Sequence, residues 1–186
     1  MDFENLKNKK IKDVSKLIEK GQVCPEELTH FYLDKISRDS RAKDTFTEVF
    51  KKSALVSARE SKKRAKAGLR KGALDGIPIS VKDLADIKGE LTAGGSSLTN
   101  KKKAEKNAVF VDDLKSQGLI ILGKTHMTEL AFSGLGLNPI TATPVNPYNS
   151  DLVSGGSSSG SAVSVSRNYC LASIGSDTGG SVRIPA

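Results

Sequence analysis

The sequence contains no tryptophan, two cysteines and two histidines, and aromatic side chains fill only 5% of its 186 positions. With so few rings available, a core has to be built from Ala, Val, Leu and Ile. Cys24 and Cys170 lie far apart in the chain, in neither a metal-ligand spacing nor the pattern of a disulfide framework. No apolar run approaches the ~20 residues that cross a bilayer. The opening MDFENLKNKK lacks the hydrophobic stretch of a signal peptide. These absences read together as a cytoplasmic protein, long enough for one domain that buries roughly 70% of the surface of its unfolded chain.

Charge is plentiful but one-sided, with a formal net of +8. Such a balance raises a nucleic-acid partner as one class of function, and its distribution argues against it. The excess sits at Lys51, Lys52, Arg59, Lys62, Lys63, Arg64, Lys66, Arg70 and Lys71, and again at Lys101–Lys103. Ala54, Leu55, Ala58, Ala65 and Leu69 recur through the first run at helical spacing, which makes its basic residues a solvated helix face. No aromatic residue interleaves with them as a base-stacking platform requires.

The first 70 residues read as helical. Ile11, Val14, Leu17 and Ile18 form a stripe that stops at Gly21, and Pro25 suits the first turn of a second helix with Leu28, Phe31, Tyr32 and Ile36 inward. A short strand over 46–50 precedes the basic helix. Residues 71–186 read as α/β. Ile77 to Lys82 is a buried strand ending on a lysine, 109–117 a helix, and 119–122 an interior strand. A short helix opened by His126 runs through Glu129. An irregular loop over 134–154 is rich in Gly, Pro and Asn, and a loop that long implies a role. A helix after Gly160 and a strand over 171–174 complete the order.

The richest stretch is the last. Two Gly/Ser clusters flank an apolar run, and Val163, Val165, Leu171 and Ile174 break the monotony of a linker. Glycines of this kind let backbone approach a ligand, so the pair of loops around a buried strand reads as an active-site floor. Ser181 follows Thr178-Gly179-Gly180, where consecutive N–H groups can converge on an oxyanion while a serine attacks a carbonyl; a tight turn with an incidental serine fits the spacing too. A nucleophilic serine needs a base. His30 falls on a surface helix and His126 on a helix start, and no G-x-S-x-G elbow surrounds Ser181, so a Ser-His-Asp triad lacks support. A lysine can serve when burial keeps it neutral. Lys82 is the best placed, either as that base or as a strand-end charge paired with Asp83. Gly155 to Gly160 has the glycine spacing of a phosphate loop, but Ser161 follows where the phosphate-binding lysine belongs.

Three segments, GIPISVKDL at 76–84, GGSSSGSA at 155–162 and SDTGGSVRIPA at 176–186, resemble the amidase signature family, and GKTHMTELAFSGLGLNP and TPVNPY extend the resemblance over most of the chain. The resemblance implies an α/β fold with a mixed central sheet covered by helices on both faces, of which this chain would be the N-terminal portion, with a helical region to residue 70 and part of the catalytic core after it. It implies cleavage of a carboxamide C–N bond by a Ser–cis-Ser–Lys triad. Ser181 would be the acyl-enzyme nucleophile, Ser157 the relay through a cis peptide to Ser158, and Lys82 the general acid/base. The N–H groups of Thr178, Gly179 and Gly180 would form the oxyanion hole, and Ser158, Asp177 and Arg183 would hold the loops around it. Neither metal nor cofactor is implied. The partner would be a small amide substrate, with a homodimer open to it, no membrane, and nucleic acid only for a component of a tRNA-dependent amidotransferase. The A-type subunits of those amidotransferases usually read Arg-Gln-Pro where this chain has Arg183-Ile184-Pro185, and Asn-Met-Asp-Glu where it has His126-Met127-Thr128-Glu129. Both departures favour a general amidase over the amidotransferase. An inactive fragment or binding remnant is the rival outside catalysis, because a half-domain exposes strand edges and apolar surface.

Overall fold

A computed structural model describes residues 3–7, 9–99 and 102–186. Lys101 of the second basic cluster, and Met1, Asp2 and Asn8 of the N-terminal segment, lie outside the described residues. After a 3-10 turn at Phe3–Leu6 come α1 (Ile11–Glu19) and α2 (Pro25–Arg38), then a second 3-10 turn at Ser40–Asp44. Their positions follow from local chemistry. The α1 stripe buries Val14 and Ile18 and the chain breaks at Gly21, held at φ +69°. Pro25 opens α2, where its missing N–H is no loss, and Leu28, Tyr32, Leu33 and Ile36 enter the core.

Strand β1 (Phe46–Val49) leads into α3 (Lys51–Lys66), the basic helix. Its inner face is small, with Ala54, Ala58 and Ser61 buried, so α3 sits closely on α2 and on the sheet. Its outer face is a solvated one, partly neutralised. Arg59 and Lys62 reach Glu26 of α2 at 3.0 and 2.7 Å, and Lys63 reaches Glu60 at 2.9 Å. Arg64 grips the fully buried Asp75 with two bonds of 2.7 Å. The helix stops at Lys66 because Gly68 turns the chain at φ +70°. Leu69, expected on its inner face, is therefore 71% exposed.

The remaining elements are β2 (Pro78–Lys82), α4 (Val109–Ser116), β3 (Ile120–Thr125), a 3-10 turn at Glu129–Ala131, α5 (Ser159–Ser166) and β4 (Ala172–Ile174). The four strands make one mixed sheet in the order β1-β3-β2-β4. β3 runs antiparallel to β1, and β2 is parallel to both β3 and β4. Every residue of the central strands β2 and β3 is buried, as parallel strands covered on both faces require. Two expectations change here. β3 continues through Gly123, Lys124 and Thr125, because β1 pairs with it on one side and β2 on the other over those residues. His126 thus follows a strand instead of opening a helix. β4, expected to be buried, is half-buried, since among the described residues it pairs with β2 alone. No helix among the described residues is long and apolar enough to cross a membrane.

Helix α5 is unusual in the polarity of its packed face. Ser164 meets Ser80 of β2 at 2.9 Å, Ser161 meets Thr125 of β3 at 3.0 Å, and Ser80 donates to Ser173 of β4 at 2.7 Å. These bonds satisfy buried hydroxyls, and the short side chains let the helix lie close to the strands. Gly160 is the closest approach: a Cβ there would stand 2.6 Å from the His126 carbonyl oxygen and 2.7 Å from that of Thr45. Both neighbours are backbone and cannot swing away. Gly160→Ala is expected to lower stability by about 1–3 kcal/mol, read as a shifted midpoint in chemical denaturation.

Candidate active site

β2 delivers Lys82 to the face of the sheet that α5 covers. The side chain is 2% exposed, and its Nζ donates to Ser157 Oγ at 2.6 Å and to Ser176 Oγ at 2.7 Å. No carboxylate among the described residues pairs with it. Burial disfavours the ammonium and brings Lys82 from 10.5 down to about 8, against the attraction of Asp177. Asp83, the alternative partner read from the sequence, turns the other way and pairs with Lys124 at 2.5 Å. Asp83 therefore does not pair with Lys82, whose amine lies buried against two hydroxyls.

Ser157 is fully buried in the first Gly/Ser loop. Its carbonyl accepts from the Thr128 N–H at 3.2 Å, and the Gly156 N–H donates to the Gly134 carbonyl at 2.8 Å. The Gly156–Ser157 peptide bond is cis, one bond earlier than the Ser157–Ser158 position expected. Backbone is packed on backbone here: a Cβ on Gly156 would sit 2.7 Å from the Gly136 nitrogen. Ser158 ties the two loops together. Its N–H donates to the Ser181 carbonyl at 3.0 Å, its Oγ donates to the Ser176 carbonyl at 3.2 Å, and the Ser176 N–H donates back to that Oγ at 3.3 Å.

Asp177 organises the second loop. Its carboxylate accepts from the N–H groups of Gly180 at 3.0 Å, Val182 at 3.0 Å and Arg183 at 3.2 Å. The Arg183 guanidinium adds bonds of 3.1 and 2.8 Å. Arg183 first, then those N–H groups, hold the Asp177 carboxyl well below the usual carboxylate range. The Gly180 N–H is thereby engaged, whereas those of Thr178, Gly179 and Ser181 have no acceptor among the described residues. Ser181 is half-buried, and no hydrogen bond from the described residues holds its hydroxyl. The loop therefore presents a free serine oxygen beside free N–H donors, at one end of a chain of contacts that leads through Ser158 and Ser176 to Lys82.

Three contributors escaped the sequence reading. Ser176 contacts Lys82 directly, and its only signal was its place in the serine-rich motif. Asn138, 1% exposed, pins the irregular loop: its Nδ2 donates to the carbonyls of Gly95 at 2.7 Å and Met127 at 2.8 Å. The buried Lys124–Asp83 pair carried no periodic signal. The histidines stand apart, His30 exposed and His126 buried with no hydrogen bond at Nδ1. Among the described residues no group of three or more His, Cys, Asp and Glu side chains is placed to hold a metal ion.

Known proteins share this fold. The family profile described as Amidase matches residues 27–186. The A-type subunit of the glutamyl-tRNA(Gln) amidotransferase of Protochlamydia amoebophila (strain UWE25) is 35% identical over 167 residues, 90% of this chain and 34% of that protein. Among solved structures, the native peptide amidase of Stenotrophomonas maltophilia superposes with a TM-score of 0.87 at 30% identity, covering 96% of this chain and 38% of that one. A fatty acid amide hydrolase gives 0.87 at 27% identity over 98% of this chain and 32% of its own. The chain spans between a third and two fifths of the length of such relatives.

Lys82 supplies a direct test of this environment. In a lysine 13Cε titration, one resonance is expected to move with a midpoint of about 8, and to vanish in Lys82→Met. Its folded value lies below the unfolded one, so the group opposes folding while it is charged; that penalty lifts as pH rises from about 8 to 10.5. A Lys82 resonance that titrates with the exposed lysines contradicts the assignment.

Proposed function

The chain belongs to the Amidase family, and on that premise we propose that the whole protein hydrolyses a carboxamide C–N bond through an acyl-serine intermediate. The observation that carries the reading is the buried lysine, without a counter-ion among the described residues and held against two serine hydroxyls. Near pH 8 about half of Lys82 is the neutral amine, with a lone pair able to take a proton from Ser157. Ser157 in turn takes the proton of Ser181 as the Ser181 oxygen bonds to the substrate carbonyl carbon. The resulting oxyanion meets the unengaged N–H groups of Thr178, Gly179 and Ser181, where such donors typically contribute about 3–4 kcal/mol to the transition state. Collapse breaks the C–N bond, and the proton held by Lys82 returns through Ser157 to the departing nitrogen. Water then attacks the acyl-Ser181 ester by the same proton path, releasing a carboxylic acid and the free serine.

Asp177 and Arg183 act on shape: their ion pair folds the turn that carries the donors. Ser158 sets the distance between the two loops. The relative at 35% identity that belongs to an amidotransferase supports a second reading, in which ammonia passes to a tRNA-linked acyl group. Glutamine-dependent transamidation with copurifying partner proteins would favour it over hydrolysis.

Two outcomes test the proposal on the full-length protein. A fluorophosphonate, which bonds to the serine oxygen with loss of fluoride, is expected to label the wild type, to leave Ser181→Ala unlabelled, and to label Lys82→Ala about 10²–10⁴-fold more slowly. Labelling that persists in Ser181→Ala removes Ser181 from the role. Because the neutral amine is the active form, the labelling rate should climb about tenfold per pH unit below the Lys82 value of about 8 and level off above it. A rate that falls across that range contradicts Lys82 as base.

A further inference from the structure

A second buried lysine stands beside the first. Lys124 of β3 lies opposite Val81 of β2, one place from the Lys82–Thr125 pair, and is 1% exposed. Its ammonium stands in ion-pair contact with Asp83 Oδ1 at 2.5 Å and donates to the Leu91 carbonyl at 2.5 Å and the Thr92 hydroxyl at 2.8 Å. Asp83 directly follows Lys82. Its own N–H donates to the Thr125 carbonyl at 3.1 Å, its carbonyl accepts from Gly94 at 3.0 Å, and its Oδ2 accepts from the Ala93 N–H at 3.3 Å. The chain leaving Lys82 is thus closed into a loop whose two ends are fastened to one ammonium.

The fastening continues toward the serines. The Gly94 carbonyl accepts from the Leu130 N–H at 2.8 Å, and Gly95 and Met127 are bridged by Asn138. The Thr128 N–H then holds the Ser157 carbonyl at 3.2 Å. The backbones of Lys82 and Ser157, whose side chains meet at 2.6 Å, are therefore braced from one network on the far side of β2.

We infer that Lys124 is a positioning residue for Lys82: it clamps Asp83 and the Leu91–Thr92 carbonyl and hydroxyl, fixes the strand end from which Lys82 projects, and keeps the adjacent carboxylate engaged away from the amine. The inference rests on Lys82 being the base. A displacement of about 1 Å at a reacting pair costs on the order of 100-fold in rate, so a loosened strand end at Lys82 is felt in the limiting rate.

The test is the concentration dependence of fluorophosphonate labelling at Ser181 in the full-length protein, measured on folded material. Lys124→Met is expected to lower the limiting labelling rate at least tenfold while leaving the half-saturating concentration unchanged. Lys124→Met strands a buried carboxylate and can fail to fold. The double variant Asp83→Asn/Lys124→Met carries no unpaired charge, still lacks the clamp, and should show the same loss. A folded variant of either kind that labels at the wild-type limiting rate overturns the inference, as does one in which only the half-saturating concentration rises. Absence of labelling in the wild type overturns the acyl-serine reading, and this inference falls with it.

Discussion

The arrangement of the Gly/Ser loops depends on one contact, the hydrogen bond from the buried Lys82 amine to Ser157. An ammonium in that position without a carboxylate is expensive to bury, and the structure meets the cost with hydroxyls from two separate loops. Ser157 and Ser176 each supply an oxygen, and neither can do so unless both loops close on the end of β2. Ser158 adds its own bonds between the same two loops. The same neutral partners that satisfy the amine leave it easy to discharge, in keeping with its lowered pKa.

The contrast with Lys124 makes the point sharper. Two lysines stand one register position apart on neighbouring central strands, both almost wholly buried. One has a carboxylate and two further acceptors; the other has hydroxyls alone. Alternation along a strand sends successive side chains to opposite faces, so Lys82 faces α5 while Asp83 turns toward Lys124. A one-residue slip of β2 would bring Asp83 to the serines and set Lys82 on the face of Lys124.

Much of this was legible in the sequence, and for identifiable reasons. The helices α1 and α2 had clean stripes with a glycine stop and a proline start, and β2 was a compact apolar run ending on Lys82. Lys82 and Ser157, from two of the motifs that carry the resemblance, meet through a hydrogen bond of 2.6 Å. What failed was set by tertiary pairing. Nothing local tells Gly123 and Lys124 to continue a strand, because their partners are Val49, Glu48, Ser80 and Val81. Ser176 looked like one more serine in a polar run until the lysine was seen to reach it. Asp83, one of two alternatives open for Lys82, pairs elsewhere because adjacency in sequence is separation across a sheet. The position of the cis bond, one residue before the place expected, had no local signal at all.

The Lys124–Asp83 pair also bears on how the site responds to heat. Hydration of charged groups becomes less favourable as temperature rises, so the desolvation cost of a buried ion pair shrinks on warming while apolar stabilisation levels off. The clamp behind Lys82 should then hold its share of the fold's stability when the apolar contacts of α1 and α2 are losing theirs. Warming would then loosen the apolar packing of the helices before it loosens the strand ends that frame the amine.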